Sequence, residues 1–252
     1  MSVVAAVSAE RIKLTTTRAA LVTSAAVAVL SIGLAALQGL IAYDASPPTP
    51  EAAATGVAVF GVPVLMILAA TTVTGEYRSG MIRTTFMATP NRSLVLVAKA
   101  LVVAVFSGAY TALMTIAAVM TASLTAPPLI GTQLSLVAPT AWRLVGAIAL
   151  YAALTAVLGV GVAALLRHSA GAVAVLLMWP LVVEPILGNL TRIGSEVGPY
   201  LPFGNAFLFA RVQWLYPAYD MPWGELGSLL YFAAVVAAVF AAAILVVNRR
   251  DA

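Results

Sequence analysis

The chain has 252 residues, of which 62% are hydrophobic and only 9% charged, with no cysteine and a formal net charge of +4. A soluble domain carries roughly a quarter charged residues and has no room on a wet surface for so much apolar area, so an ordinary soluble enzyme or binding module is excluded. The lack of cysteine excludes a disulfide framework, a thiol nucleophile and a thiolate metal site, and the basic residues lie between apolar runs rather than in one patch, which speaks against nucleic acid.

Residues 1–18 predict an amphipathic helix in which Val3, Val4 and Val7 recur at helical spacing while Glu10, Arg11, Lys13 and Arg18 supply charge. Such a segment lies along lipid headgroups. This segment and the apolar run after it are both long for a cleaved signal, so the first run is expected to stay as a span.

Six apolar runs follow, at 19–43, 54–74, 94–124, 140–166, 171–190 and 225–247. Each is near or above the roughly 20 residues that cross about 30 Å of hydrocarbon as a helix. Between the first two runs, 44–55 reads as a short outside loop with Pro47, Pro48 and Pro50. The segment 75–93 reads as the main cytoplasmic loop, carrying a short helix in which Ile82 and Phe86 share a face beside Met81 and Thr85 and which Pro90 ends. The third run is too long for one upright span and must tilt or project from the bilayer. Lys99, near its start, is expected to snorkel to the headgroups. The chain then returns through 125–139, and Arg167, His168 and Ser169 make a tight cytoplasmic turn.

Glu184 sits about fourteen residues, or roughly 21 Å, into the fifth run. A carboxylate at such depth is a candidate for a transport path, although Pro185 beside it also fits a helix ending at the interface. Between the last two runs, prolines 180, 185, 199, 202, 217 and 222 alternate with a set of aromatic residues that includes Tyr200, Phe203, Phe207, Phe209, Trp214, Tyr216, Tyr219 and Trp223. Proline interrupts helices and Trp and Tyr favour the interface, so 191–224 is expected to form short helices in or on the outer leaflet. The predicted fold class is therefore all-α, a polytopic membrane protein with one transmembrane domain of six helices over 1–252.

Orientation follows from Lys and Arg. Arg11, Lys13, Arg18, Arg78, Arg83, Arg92, Lys99, Arg167, Arg249 and Arg250 fall on one side, and Arg143, Arg192 and Arg211 on the other. Positive residues stay inside, which places both termini in the cytoplasm of a cell-membrane protein. Catalytic motifs are missing. The two lysines, Lys13 and Lys99, follow no Gly-x-x-x-x-Gly pattern, so no phosphate loop exists, and the single histidine, His168, cannot build a His-paired metal site.

The loop Thr74-Gly75-Glu76-Tyr77-Arg78-Ser79-Gly80-Met81-Ile82-Arg83-Thr84-Thr85-Phe86-Met87-Ala88-Thr89-Pro90-Asn91-Arg92 resembles the segment between the second and third spans of type-2 ATP-binding-cassette exporter permeases. Glu76, Gly80, Arg92 and Lys99 match the family's Glu after the second span, Gly four residues on, Arg, and Lys in the third span. Glu10-Arg11-Ile12-Lys13-Leu14 with Thr17-Arg18 looks like its interface helix, and Asn248-Arg249-Arg250-Asp251 like its basic close. Met81 departs from the small polar residue common at its place. The resemblance implies two six-span chains enclosing a path, as a homodimer or a heterodimer, with separate ATPase subunits that hold ATP and Mg. It implies no cofactor and no catalytic residue on this chain. Glu76, Arg78, Gly80, Met81, Ile82, Arg83 and Phe86 are then the expected ATPase contacts, with Met81, Ile82 and Phe86 supplying buried area. Glu10, Lys13 and Arg18 belong to the interface helix, and the 191–224 segment to re-entrant helices that narrow the exit. A secondary transporter or channel subunit, coupled through Glu184, is the competing function, and an intramembrane enzyme a third.

Overall fold

The structure, a computed structural model, describes residues 2–43, 49–132, 134–190, 192–212, 219 and 221–249. Expectations placed on Pro47, Pro48, Trp214, Tyr216, Pro217, Arg250 and Asp251 fall outside them. The described residues are predominantly helical, and six helices are long and apolar enough to cross a membrane, the pattern of a multi-pass membrane protein.

Helix α1 (Val3–Thr16) opens on Ser2, whose side chain caps Ala5 N, and leads at Thr17 directly into the first candidate span, α2 (Arg18–Leu40). The face that α1 turns inward is Ala6, Glu10 and Leu14, a stripe at four-residue spacing, while Val3 and Val4 are exposed. The valine face expected to matter is thus the outer one. The inner stripe is inconspicuous in sequence because its middle member is charged.

The second span, Pro50–Ser79, begins as α3 (Pro50–Ala53), passes through a π turn at Val57–Gly61 and continues as α4 (Val62–Ser79). A π turn just before Pro63 absorbs the hydrogen bond that proline cannot donate. The helix runs past the apolar stretch and carries Glu76 within it. It stops at Gly80, whose φ of 72° only glycine adopts without strain. Helix α5 (Met81–Ala88) follows and ends at Thr89 before Pro90.

Asn91 caps α6 (Arg92–Thr125), an unbroken helix of 34 residues. At 1.5 Å per residue that is about 51 Å, longer than an upright crossing needs. A one-turn helix, α7 (Pro128–Gly131), precedes the fourth span, α8 (Pro139–Leu166). After Arg167 and His168 the fifth span, Ser169–Asn189, is built from α9 (Ser169–Met178), a π turn at Trp179–Val183 and α10 (Glu184–Asn189). Pro180 and Pro185, expected to interrupt the chain, are accommodated inside this span by the π turn. Two short helices, α11 (Ile193–Val197) and α12 (Pro202–Ala210), come before the last span, α13 (Glu225–Arg249).

The fourth span is central: it packs on the third, the second and the sixth. Close approach to the second span relies on Gly159, where a Cβ would lie 2.5 Å from the Met66 carbonyl oxygen. Near the end away from α5, Tyr151 sits wholly buried among Phe203, Phe207 and Phe232 in tilted and edge-on contacts, so α12 is seated against α8 and α13 by aromatic packing.

Candidate functional site

Four charged side chains from three helices meet at the α5 end of the bundle. Glu10 and Lys13 come from α1, Glu76 from the last turns of α4, and Lys99 from the second turn of α6. The Lys13 ammonium lies 2.8 Å from Glu10 Oε1 and 2.8 Å from Glu76 Oε1. That of Lys99 lies 2.6 Å from Glu10 Oε2 and 2.6 Å from Glu76 Oε1. Each acid bridges both bases and each base both acids, which closes a ring of four with no net charge. Thr85 of α5 donates a longer hydrogen bond, 3.4 Å, to Glu76 Oε2.

Local chemistry explains the assembly. Glu10 and Lys13 are three residues apart on one helical face, so the pair forms within α1. Lys99 is only 2% exposed and Glu76 4%. Charges so enclosed persist only when paired and hydrogen-bonded. Burial alone disfavours the charged form of Lys13, but its hydrogen bonds and attraction to Glu10 and Glu76 outweigh this and raise its pKa.

The ring alters the expected role of two residues. Lys99 does not snorkel: it points into the bundle, because two carboxylates there compensate its charge better than a long reach to the headgroups. Glu76, expected to contact a partner ATPase, is enclosed by its own chain.

The loop helix divides similarly. Ile82 is buried and Phe86 is half-buried against the core, with Arg92 over its ring at 5.3 Å. Arg92 also donates to the Val247 carbonyl, and Ser93 and Asn248 bond to each other, which ties the end of α13 to the start of α6. Arg78, Gly80, Met81, Arg83, Thr84 and Met87 remain exposed. Of the three apolar residues expected to bury against a partner, Ile82 is therefore already buried and Phe86 partly so, leaving Met81. Met87 joins it, a residue the sequence reasoning passed over because it lies off the Ile82–Phe86 face. Arg18, at the first position of α2, is exposed and outside the ring.

Glu184 takes a structural place. It is fully buried, and its oxygens accept from Trp179 Nε1 at 2.9 Å and from the backbone N–H groups of Phe203 and Gly204 at 3.0 Å each. These amides begin α12, so the carboxylate satisfies donors that have no partner within that helix and faces the positive end of its dipole. Pro185 gave no hint of this, because the helix that Glu184 caps starts 18 residues later, at Pro202. At the same end, Arg143 and Arg211 converge on Glu225 at 2.5 and 2.6 Å. Sequence showed these as three separate charges.

Among the described residues no group of His, Cys, Asp and Glu side chains is placed to hold a metal ion. Comparison with protein-family models and with curated proteins finds no match, so the functional reading rests on the geometry above.

Proposed function

We propose that the chain is the membrane-spanning subunit of a type-2 ATP-binding-cassette exporter, working as a pair of such chains above separate ATPase subunits. The observation that carries this reading is mechanical continuity at the α5 end. Helix α5 leaves the second span through Gly80, leans on α6 through Ile82 and Phe86, and lies beside a charge ring that joins α1, α4 and α6. A displacement of α5 is then delivered to three helices at once. In the family that the loop resembles, this helix sits in a groove of the ATPase.

In this reading the cytoplasmic contact is made by Arg78, Met81, Arg83, Thr84 and Met87, which are exposed and contiguous along α5 and the turn before it. ATP and Mg belong to the partner. Helix α1 lies on the inner headgroups with Val3, Val4 and Ile12 outward, both termini are cytoplasmic, and α11 and α12 are re-entrant helices of the outer leaflet. A secondary transporter would need an ion-coupling group, and Glu184, its deepest carboxylate, is engaged as a helix cap.

The test is co-reconstitution with an ATPase subunit that co-purifies with the chain, reading affinity and permease-stimulated ATP hydrolysis together. Met81→Ala with Met87→Ala should weaken docking by about tenfold, the loss expected for part-exposed methionines that become buried, with thermal stability unchanged. Unaltered docking and stimulation in that variant would remove α5 from the contact. Native mass spectrometry in nanodiscs should find two permease chains per complex; a working monomer would refute the pairing.

A further inference from the structure

An open cavity of about 300 Å³ runs from the charge ring along α4 and α6 to Leu68 and Val103, beneath the junction of α1 and α2. Its lining mixes apolar side chains, Leu14, Ala19, Leu68, Val102 and Val103, with the threonines 16, 17, 71 and 72, and all four residues of the ring line it as well.

The direction of the hydroxyl hydrogen bonds sets what this cavity can recognise. Thr16 donates to the Ile12 carbonyl at 2.7 Å, Thr17 to Leu14 at 3.0 Å, Thr71 to Leu68 at 2.8 Å and Thr72 to Ala69 at 2.7 Å. With each proton committed to its own helix, the four oxygens have only lone pairs left to offer. The ring is balanced, so a ligand of either net charge gains little from it. Each lysine commits two N–H bonds to carboxylates, and Lys13, with 36% of its side chain exposed, has its third available.

We infer that the cavity binds the head and first carbons of an amphiphile without net charge whose head carries N–H donors, as a phosphoethanolamine head does. Its ammonium meets the threonine oxygens, its phosphate meets Lys13, and its chain follows Leu68, Val102 and Val103. The volume suits a head rather than a whole lipid. A phosphocholine head has the same two charges but no N–H, and is the discriminating comparison. The inference does not depend on the exporter reading.

Because the chain has no cysteine, Val102→Cys introduces a single thiol on the cavity wall. Val105→Cys, on the same helix and 63% exposed, is the outward control. The rate of N-ethylmaleimide labelling is measured in nanodiscs of pure phosphatidylcholine and in nanodiscs with phosphatidylethanolamine. It is also measured in phosphatidylcholine discs with added lysophosphatidylethanolamine or lysophosphatidylcholine of equal chain length. The ethanolamine head should slow Val102→Cys labelling about tenfold relative to choline, the discrimination expected of one or two hydrogen bonds, and leave Val105→Cys unchanged. A second background, Thr71→Val with Thr72→Val, should abolish the difference. Protection in the disc series marks a bilayer lipid as the source and protection in the lysolipid series a free amphiphile; either supports the site. Equal protection by both heads, protection by neither, a thiol at 102 unreactive even in pure phosphatidylcholine, or a preference that survives the threonine changes would overturn it.

Discussion

At the residue scale the decisive feature is that Lys99 and Glu76 are buried together. Removing one partner of a buried pair leaves an uncompensated charge, which costs about 3–5 kcal/mol. Lys99→Met should therefore lower stability by roughly that amount, and Lys13→Met by less, since Lys13 is part-exposed. Adding Glu76→Gln to Lys99→Met leaves Glu10 facing Lys13 as a balanced pair and should recover most of the loss. Thermal unfolding in detergent compares the three; a double variant as unstable as Lys99→Met alone would show that charge balance is not what holds the ring. The Lys13 pKa is raised above its ordinary 10.5 in the folded chain. Its contribution is therefore complete below that value and lost as pH rises through the folded one. The stability difference between Lys13→Met and the parent should accordingly be flat from about pH 6 to 9. The ring was half legible in sequence. Glu10 and Lys13 stand out as charges three residues apart on one helix, but the lysine inside the third run was expected to snorkel and not to need a counter-charge from the bundle. That Glu76 supplies it, 23 residues away, depends on the second span continuing as helix beyond its apolar stretch.

At the element scale, long helices were legible because a run of apolar residues admits one backbone solution in lipid, the helix that satisfies its own hydrogen bonds. Faces were less so. Val3 and Val4 lie on the outward face of α1, while the inward stripe sets Glu10 between the buried Ala6 and Leu14, and a charged middle member hides that stripe from an apolar pattern. The π turns ahead of Pro63 and around Pro180 were also hidden, since proline signals a break without saying whether a wider turn will absorb it. The link from Glu184 to α12 is tertiary, and no local pattern encodes it. It does predict a measurable dependence. Glu184→Gln keeps one acceptor oxygen for two amides and should cost about 1–3 kcal/mol, the penalty for a buried donor left unpaired. Glu184→Ala should cost more and loosen α12. Hydrogen exchange at Phe203 and Gly204 reads this directly: protection unchanged in Glu184→Ala would mean that the aromatic seat of Phe203 and Phe207 holds α12 without the cap. At the α5 end, Gly80→Ala forces a left-handed residue with a side chain, at about 1–2 kcal/mol, and should speed tryptic cleavage after the exposed Arg78 and Arg83.

At the scale of the whole molecule, charge is distributed unevenly between the two ends. Arg11, Lys13, Arg18, Arg78, Arg83, Arg92, Lys99, Arg167 and Arg249 gather at the α5 end, and Arg143, Arg192 and Arg211 at the other. Orientation rules count Lys and Arg in short loops and give acids little weight, so the neutralisation of Lys13 and Lys99 by the ring does not cancel the bias. An even number of candidate spans then places the start of α1 and the end of α13 together, as the bonds between Ser93 and Asn248 and between Lys13 and Glu76 require. The α5 end should face the cytoplasm. Single cysteines test this cleanly in a chain that has none of its own. The outer reporter is Val137, which is 89% exposed between the third and fourth spans. In intact cells an impermeant maleimide should label Val137→Cys and spare Thr84→Cys until the membrane is opened. The reverse pattern would invert the topology and, with it, leave α5 on the wrong side of the membrane for any ATPase.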